Sequence, residues 1–327
     1  MSIQTQQLRA VIWPLLNPET GFLHLDRIAW PELERKAGEY DFAPVRAAIE
    51  RAKSIKRYAM MSIEPVTPVC CADAIGGYVR LIEAMGREFG GEASIMGVDV
   101  CCPGGEALRG REELTAVARA FARAFPKARL FVPAGSRLDD AVCENKGLIV
   151  TPENIESAQG AWRNTPLRMA VDPTDEKAVA FAVEHHVSIL ACETLTGCNA
   201  PSHAGHRFAV RSVRVDDGER AWGSVRVSVT VANAGALPCY QPANFMLRLS
   251  GSDVADAREY PMPLCAADVG PGCERTADVT ADIAGLSGGE YDVHVGLFME
   301  GTSYSVSFGI EGRISDGYYE GRLILTL

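Results

Sequence analysis

Three features of the sequence predict an α/β chain in two parts: a small (β/α)8 TIM-type barrel followed by an antiparallel, Ig-like β-sandwich. Up to about Thr196, short apolar runs alternate with amphipathic helical stretches. Beyond Gly205 the period becomes two and helical patterning stops. No Gly-x-Gly-x-x-Gly follows the first strand candidate, so the dinucleotide-binding alternative lacks its phosphate loop. Strand–helix–strand units build parallel sheets, and seven or eight of them fit a barrel better than a doubly wound sheet. At under about 200 residues that barrel is at the lower size limit. The division is placed at residues 1–205 and 206–327.

In order, Val11 to Leu16 is the first strand candidate, ended by Asn17-Pro18. Ala43 to Lys56 reads as a helix with Val45, Ala48, Ile49 and Ala52 on one stripe. Tyr58 to Ile63 is a strand and Gly76 to Phe89 the next helix. Ile95 to Cys102 follows as a buried strand that breaks at Pro103-Gly104-Gly105. The helix after it carries the clearest stripe: Leu114, Val117, Ala118, Phe121 and Phe125. Leu130–Pro133, Leu148–Val150, Leu167–Val171 and Ser188–Cys192 are further strands, with a helix over Ala178 to Val187.

In the second part, Val225, Val227, Val229 and Val231 alternate with polar residues. The pattern returns at Tyr291, Val293, Val295, Leu297 and at Tyr304, Val306, Phe308, Ile310. Turn signals at 233–235, 270–272 and 287–289 punctuate these runs.

Composition narrows the partners. A net charge of -10 without any basic run argues against nucleic acid and against an anionic membrane surface. No apolar run nears the roughly 20 residues that span a bilayer. The polar opening, Met1 to Arg9, lacks a signal-peptide core. Cysteines such as Cys70, Cys71, Cys101, Cys102 and Cys192 sit in apolar runs, as reduced, core-packed thiols of a cytoplasmic protein do. Neutral, polar ligands remain. Oligomeric state is not set by the sequence; a homo-oligomer is compatible with it.

Asn17-Pro18-Glu19-Thr20-Gly21-Phe22, Trp30-Pro31-Glu32-Leu33-Glu34 and Gly38-Glu39-Tyr40-Asp41-Phe42 resemble the opening of an uncharacterised bacterial family that pairs a glycoside-hydrolase-like barrel with a C-terminal β-sandwich domain of unknown function. The Trp-x-x-Leu-Glu and Gly-x-Tyr-Asp-Phe pattern is also similar to the first barrel unit of the β-galactosidase-like clan. Asn233-x-Gly235-x-x-Pro238-x-Tyr240 and Gly312 to Tyr319 resemble motifs of the sandwich domain. The resemblance implies a glycosidase acting on a glycan or glycoside. It matches Gly105-Glu106 to the acid/base and, by position, Asp172 or its rival Glu193 to the second carboxylate. Relatives carry aromatic residues around that glutamate, whereas this chain has Cys101, Cys102 and Pro103. The other reading is therefore a non-catalytic carbohydrate-binding or interaction protein on a degenerate barrel.

Glycoside hydrolysis needs two carboxyl groups flanking one bond. Glu64, Glu106, Asp172 and Glu193 all follow apolar strand runs, where barrel enzymes keep their chemistry. Asn17, Trp30, Glu64, Arg137, Asp139 and Trp162 are candidates for sugar contacts, although Trp30 equally fits the outside of the barrel and Arg137-x-Asp139 a plain loop ion pair. His203-x-x-His206 beside Cys192 and Cys198 lacks the four-ligand spacing of zinc. A cysteine nucleophile, Cys102 or Cys192 with His185 or His186, is disfavoured because those histidines end a helix. No cofactor or metal is expected.

Overall fold

The computed structural model describes residues 10–12, 22–24, 28–54, 58–142, 145–172, 174–192, 205–216, 223–240, 242–251, 257–287, 289–300, 305–306 and 317–326. They fall into two compact units, one ending by Cys192 and one starting by Gly205.

Eight strands form the main sheet of the first unit. They are β1 (Ala10–Ile12), β2 (Phe22–His24), β3 (Ala59–Glu64), β4 (Ile95–Asp99), β5 (Arg129–Pro133), β6 (Lys146–Val150), β7 (Leu167–Ala170) and β8 (Ile189–Cys192). Pairing runs β2-β1-β8-β7-β6-β5-β4-β3. Two further residue pairs, Leu23↔Ala59 and His24↔Met60, join β2 to β3. A two-residue strand, Ile28–Ala29, pairs with the end of β3.

β2 through β8 are parallel, whereas β1 runs antiparallel to both β2 and β8. The unit is thus a curled α/β sheet of seven parallel strands and one reversed strand. Seven parallel strands fall within the expected seven or eight units, and the reversed β1 is the departure from a (β/α)8 ring. Nine residues separate β1 from β2, too few for a parallel crossover, which needs about a dozen or more. The β6–β7 connection also lacks an α-helix. Pro152, Gly160 and Pro166 interrupt it, leaving two 3-10 turns, Ile155–Ala158 and Ala161–Arg163.

Besides a single turn at Trp30–Leu33, the helices are α1 (Ala43–Ser54), α2 (Ala74–Phe89), α3 (Arg111–Ala124), α4 (Arg137–Ala141) and α5 (Glu176–Glu184). Their starts are set by side-chain caps. Asp73 accepts from Gly76 N, Ser136 from Asp139 N, and Asp175 from Lys177 N and Ala178 N. The apolar stripes read from the sequence are the buried ones: Val45, Ile49 and Ala52 in α1, and Leu114, Val117, Ala118 and Phe121 in α3. They pack against Met61, Ile63, Val98, Leu130, Val132, Leu148 and Met169, every second residue of the strands. At Gly86 of α2 an added methyl would lie 2.6 Å from the Ala124 side chain of α3, so glycine permits that helix contact.

The second unit holds β9 (Phe208–Asp216), β10 (Ser224–Asn233), β11 (Ala243–Ser250), β12 (Arg258–Cys265), β13 (Glu274–Asp282), β14 (Glu290–Met299) and β15 (Tyr318–Thr326). They make two antiparallel sheets, β9-β10-β13 and β12-β11-β14-β15. Val225, Val227, Val229 and Val231 are fully buried, as the period of two requires. Phe208 meets Phe245 of the other sheet edge-to-face, ring centroids 5.5 Å apart. The strand expected around Tyr304 to Ile310 falls mostly outside the described residues; Ser305 forms a single bridge to Phe298.

The Asn233-x-Gly235 motif has a structural basis. Asn233 is fully buried, and its side chain makes four hydrogen bonds. Oδ1 accepts from Arg207 N and Gly235 N, and Nδ2 donates to the carbonyls of Leu237 and Val269. A methyl on Gly235 would lie 2.6 Å from Arg207 N. Beside it, His206 is buried against Phe208, with no hydrogen-bond partner for Nε2 among the described residues.

Burial lowers the His206 pKa to about 4. The unfolded chain therefore binds the proton more readily, and the neutral side chain's contribution is complete above about pH 6.5 and lost as pH falls toward 4. Melts between pH 7.5 and 4.5 are expected to reveal a loss on the order of 3 kcal/mol. The loss should be absent in His206→Leu; an equal loss in that variant contradicts the assignment.

Candidate functional site

Strand alternation sends a second set of side chains to the face away from the helices. They are Met60, Ser62 and Glu64 of β3, Gly97 and Asp99 of β4, Phe131 of β5, Gly147 of β6 and Arg168 of β7. Met60, Ser62, Asp99, Phe131 and Arg168 are all buried, although no helix among the described residues covers this face. The curl of the sheet covers it.

The deepest layer is apolar. A methyl on Gly97 would sit 2.9 Å from the Phe131 ring, and one on Gly147 would overlap the same ring. The two glycines thus clear the space in which Phe131 lies. Above Phe131 the Arg168 guanidinium rests 5.1 Å from the ring centroid. Its Nη1 meets Asp99 Oδ1 at 2.6 Å, with both side chains about nine-tenths buried. A flat sheet would separate β4 from β7 by three interstrand steps, about 14 Å, with side chains roughly perpendicular to it. The pair is therefore a strut across the inside of the curl.

The mouth lies at the C-terminal strand ends. Glu64, the last residue of β3, is half-buried and two residues beyond Ser62, which is in register with Asp99. Asp172, two residues past β7, is exposed. Its Oδ1 accepts from Thr174 N at 2.9 Å and Thr174 Oγ1 at 2.7 Å, and these bonds lower its pKa.

Glu106 opens the short turn Glu106–Leu108 in the β4–α3 loop. Its Oε2 accepts from the backbone N–H of Arg137 (2.9 Å) and of Leu138 (3.3 Å), at the start of α4. The Arg137 guanidinium donates to the carbonyls of Glu106 and Arg109, and Arg109 Nε donates to the carbonyl of Pro103. Glu106 and Arg137 therefore stitch two loops together. Asp139 pairs with Lys146 at 2.6 Å and accepts from Gly135 N. The expected mutual ion pair of Arg137 and Asp139 is absent among the described residues, where each side chain has its own local partners.

Trp30 is wholly buried, its ring 5.3 Å from that of Tyr78 and its indole N–H donating to Glu34 Oε2 at 2.5 Å. It has no face left for a sugar. Trp162 stacks on His186 with ring centroids 4.0 Å apart and lies under Arg163. It sits in the turn that leads into the N-terminal end of β7, away from Glu64 and Asp172. Asn17 and Glu193 lie outside the described residues, as does His203.

Cys102 is buried and its thiol is pushed up to about 11, burial outweighing the nearby Arg109. A thiol held protonated is a poor nucleophile. His185 bonds to the Phe181 carbonyl, and both His185 and His186 lie at the opposite strand end from Cys102, so no Cys–His pair forms there.

Asp99 and Arg168 are not among the site residues expected from the sequence. The available signal was a charge inside each of two otherwise apolar strand runs, where burial demands a partner.

No family model and no curated protein sequence matches the chain. Among solved structures, it is similar to endo-glycoceramidase II from Rhodococcus sp. at 12% identity, over 79% of this chain and 88% of that one, with a TM-score of 0.38. An endogalactoceramidase matches at 14% identity over 78% and 86%, TM-score 0.36. The endo-beta-1,4-mannanase from Thermotoga petrophila matches at 8% over 84% and 85%, TM-score 0.32. Likeness of this degree carries no inference about activity.

Two outcomes follow from the local bonding. Glu106→Ala should destabilise the first unit by about 1 kcal/mol, as loss of a helix cap does, measured by urea unfolding; an unchanged midpoint contradicts the stitch. Carboxylate NMR should find Asp172 titrating below an ordinary aspartate, and Thr174→Val, which removes the hydroxyl but keeps the backbone N–H, should move it part of the way back up. No movement would mean that the Thr174 hydroxyl does not contribute.

Proposed function

We propose that the first unit is a glycoside hydrolase whose substrate lies at the C-terminal ends of the parallel strands. The observation that carries this reading is Glu64, an inward carboxylate at a parallel-strand end, standing above the buried layer of Ser62, Asp99 and Arg168. The resemblance of the 17–22, 30–34 and 38–42 motifs supports a carbohydrate as substrate, and the acidic balance of the chain fits a neutral one.

Glu64 would give its proton to the leaving glycosidic oxygen. Asp172, which its Thr174 bonds keep ionised, would attack the anomeric carbon or take a proton from the attacking water. Glu193 is the rival for that second role by its place after β8. Glu106 is better suited to holding the rim, because Oε2 already serves two backbone donors.

A panel of aryl glycosides should be turned over by the wild type, with loss of about a thousandfold or more in Glu64→Gln. Asp172→Asn or Glu193→Gln should match that loss, whereas Glu106→Gln should retain most of the rate. Full activity in Glu64→Gln would remove Glu64 from the chemistry. Sugar binding without turnover by the wild type would instead support the non-catalytic reading.

A further inference from the structure

We infer that Asp99 and Arg168 are positioning residues for this site: a mutually neutralising pair that fixes the β4–β7 separation and the local field at the mouth. The inference rests on the glycosidase reading for its purpose but not for its test.

Three observations carry it. The pair crosses two intervening strands at 2.6 Å, inside the curl and out of water. Glu64 and Cys101 are the next inward positions above it, two residues along β3 from Ser62 and two along the β4 chain from Asp99. Two residues of strand advance only about 7 Å. Tyr78, fully buried on the helix-covered side of the sheet with its hydroxyl donating to the Ile63 carbonyl, is held well above its ordinary range, first by burial and then by the acidic groups Cys101, Cys102 and Asp99 within its electrostatic reach. Buried ion pairs seldom improve stability over apolar side chains of like volume, so the pair calls for a role that packing does not supply.

Removing one partner leaves a whole charge in a poorly screened interior. At about 7 Å this is felt as a change of roughly tenfold or more in a neighbouring ionisation. The sign depends on which partner goes.

Cys101, half-buried on the inward face, is the reporter. Its alkylation by iodoacetamide at pH 8, followed by tandem mass spectrometry, reads the thiolate fraction without requiring turnover. Cys102, buried with its thiol pushed up to about 11, is the slow internal reference. Asp99→Asn should speed Cys101 alkylation about tenfold, because Arg168 is left uncompensated. Arg168→Met should slow it by a similar factor, and the double variant should return near the wild type. Arg168→Lys and Asp99→Glu keep the charges and should stay within about twofold as controls; if one neutralised variant fails to fold, the direction of change in the other decides the matter.

Where aryl glycosides are turned over, the pH profile should move down in Asp99→Asn and up in Arg168→Met. Single variants that fold yet change Cys101 in the same direction, or not at all, overturn the inference. A wild type without turnover overturns the glycosidase reading alone, because the alkylation result still decides the pair.

Discussion

The contact between Asp99 and Arg168 is the constraint on which the first unit depends. Two charges taken out of water each cost several kcal/mol, and only a close partner offsets this. In a flat sheet these two side chains could not meet. The pair therefore requires the curl, and the residues beside it leave room for both. Gly97 and Gly147 give Phe131 its space, and Phe131 gives the guanidinium an aromatic face to rest on.

From that layer outward the inside of the sheet becomes more polar. Met60 and Phe131 lie at the bottom, Ser62 and the ion pair in the middle, and Glu64 at the end of its strand. The loops around the mouth are held by backbone bonding more than by packing. Glu106, Arg109 and Arg137 tie the β4–α3 loop to α4 with hydrogen bonds to main-chain atoms. The stack of Trp162, His186 and Arg163 belongs to the other end of the strands. In the second unit a comparable role falls to Asn233, whose four bonds fix the turn before β11.

How much of this was legible in the sequence depends on the scale of the feature. The helix stripes at Val45–Ile49 and Leu114–Phe121 and the valine alternation at 225–231 read correctly, because burial of one face is a repeated signal. The reversed β1 was not legible from periodicity, since direction depends on the length of the connection. Glu106 sits after a strand, as its position suggested, but a sequence does not say whether a carboxylate there meets a ligand or two backbone N–H groups. Trp30 fits either a sugar platform or the outside of the barrel by its position; it is buried against Tyr78, with Glu34, four residues on, satisfying its indole N–H. Asp99 and Arg168 were masked by the apolar runs around them. Their pairing is 69 residues long-range and appears only when the sheet curls.

A double-mutant cycle on Asp99→Asn and Arg168→Met, read by chemical unfolding, tests that dependence most directly. Each single change should cost about 3–5 kcal/mol, and the double change clearly less than the sum, a coupling of about 2 kcal/mol or more. Effects that add to within about 0.5 kcal/mol would mean the two charges do not depend on each other, and the account of the curl would fail with them.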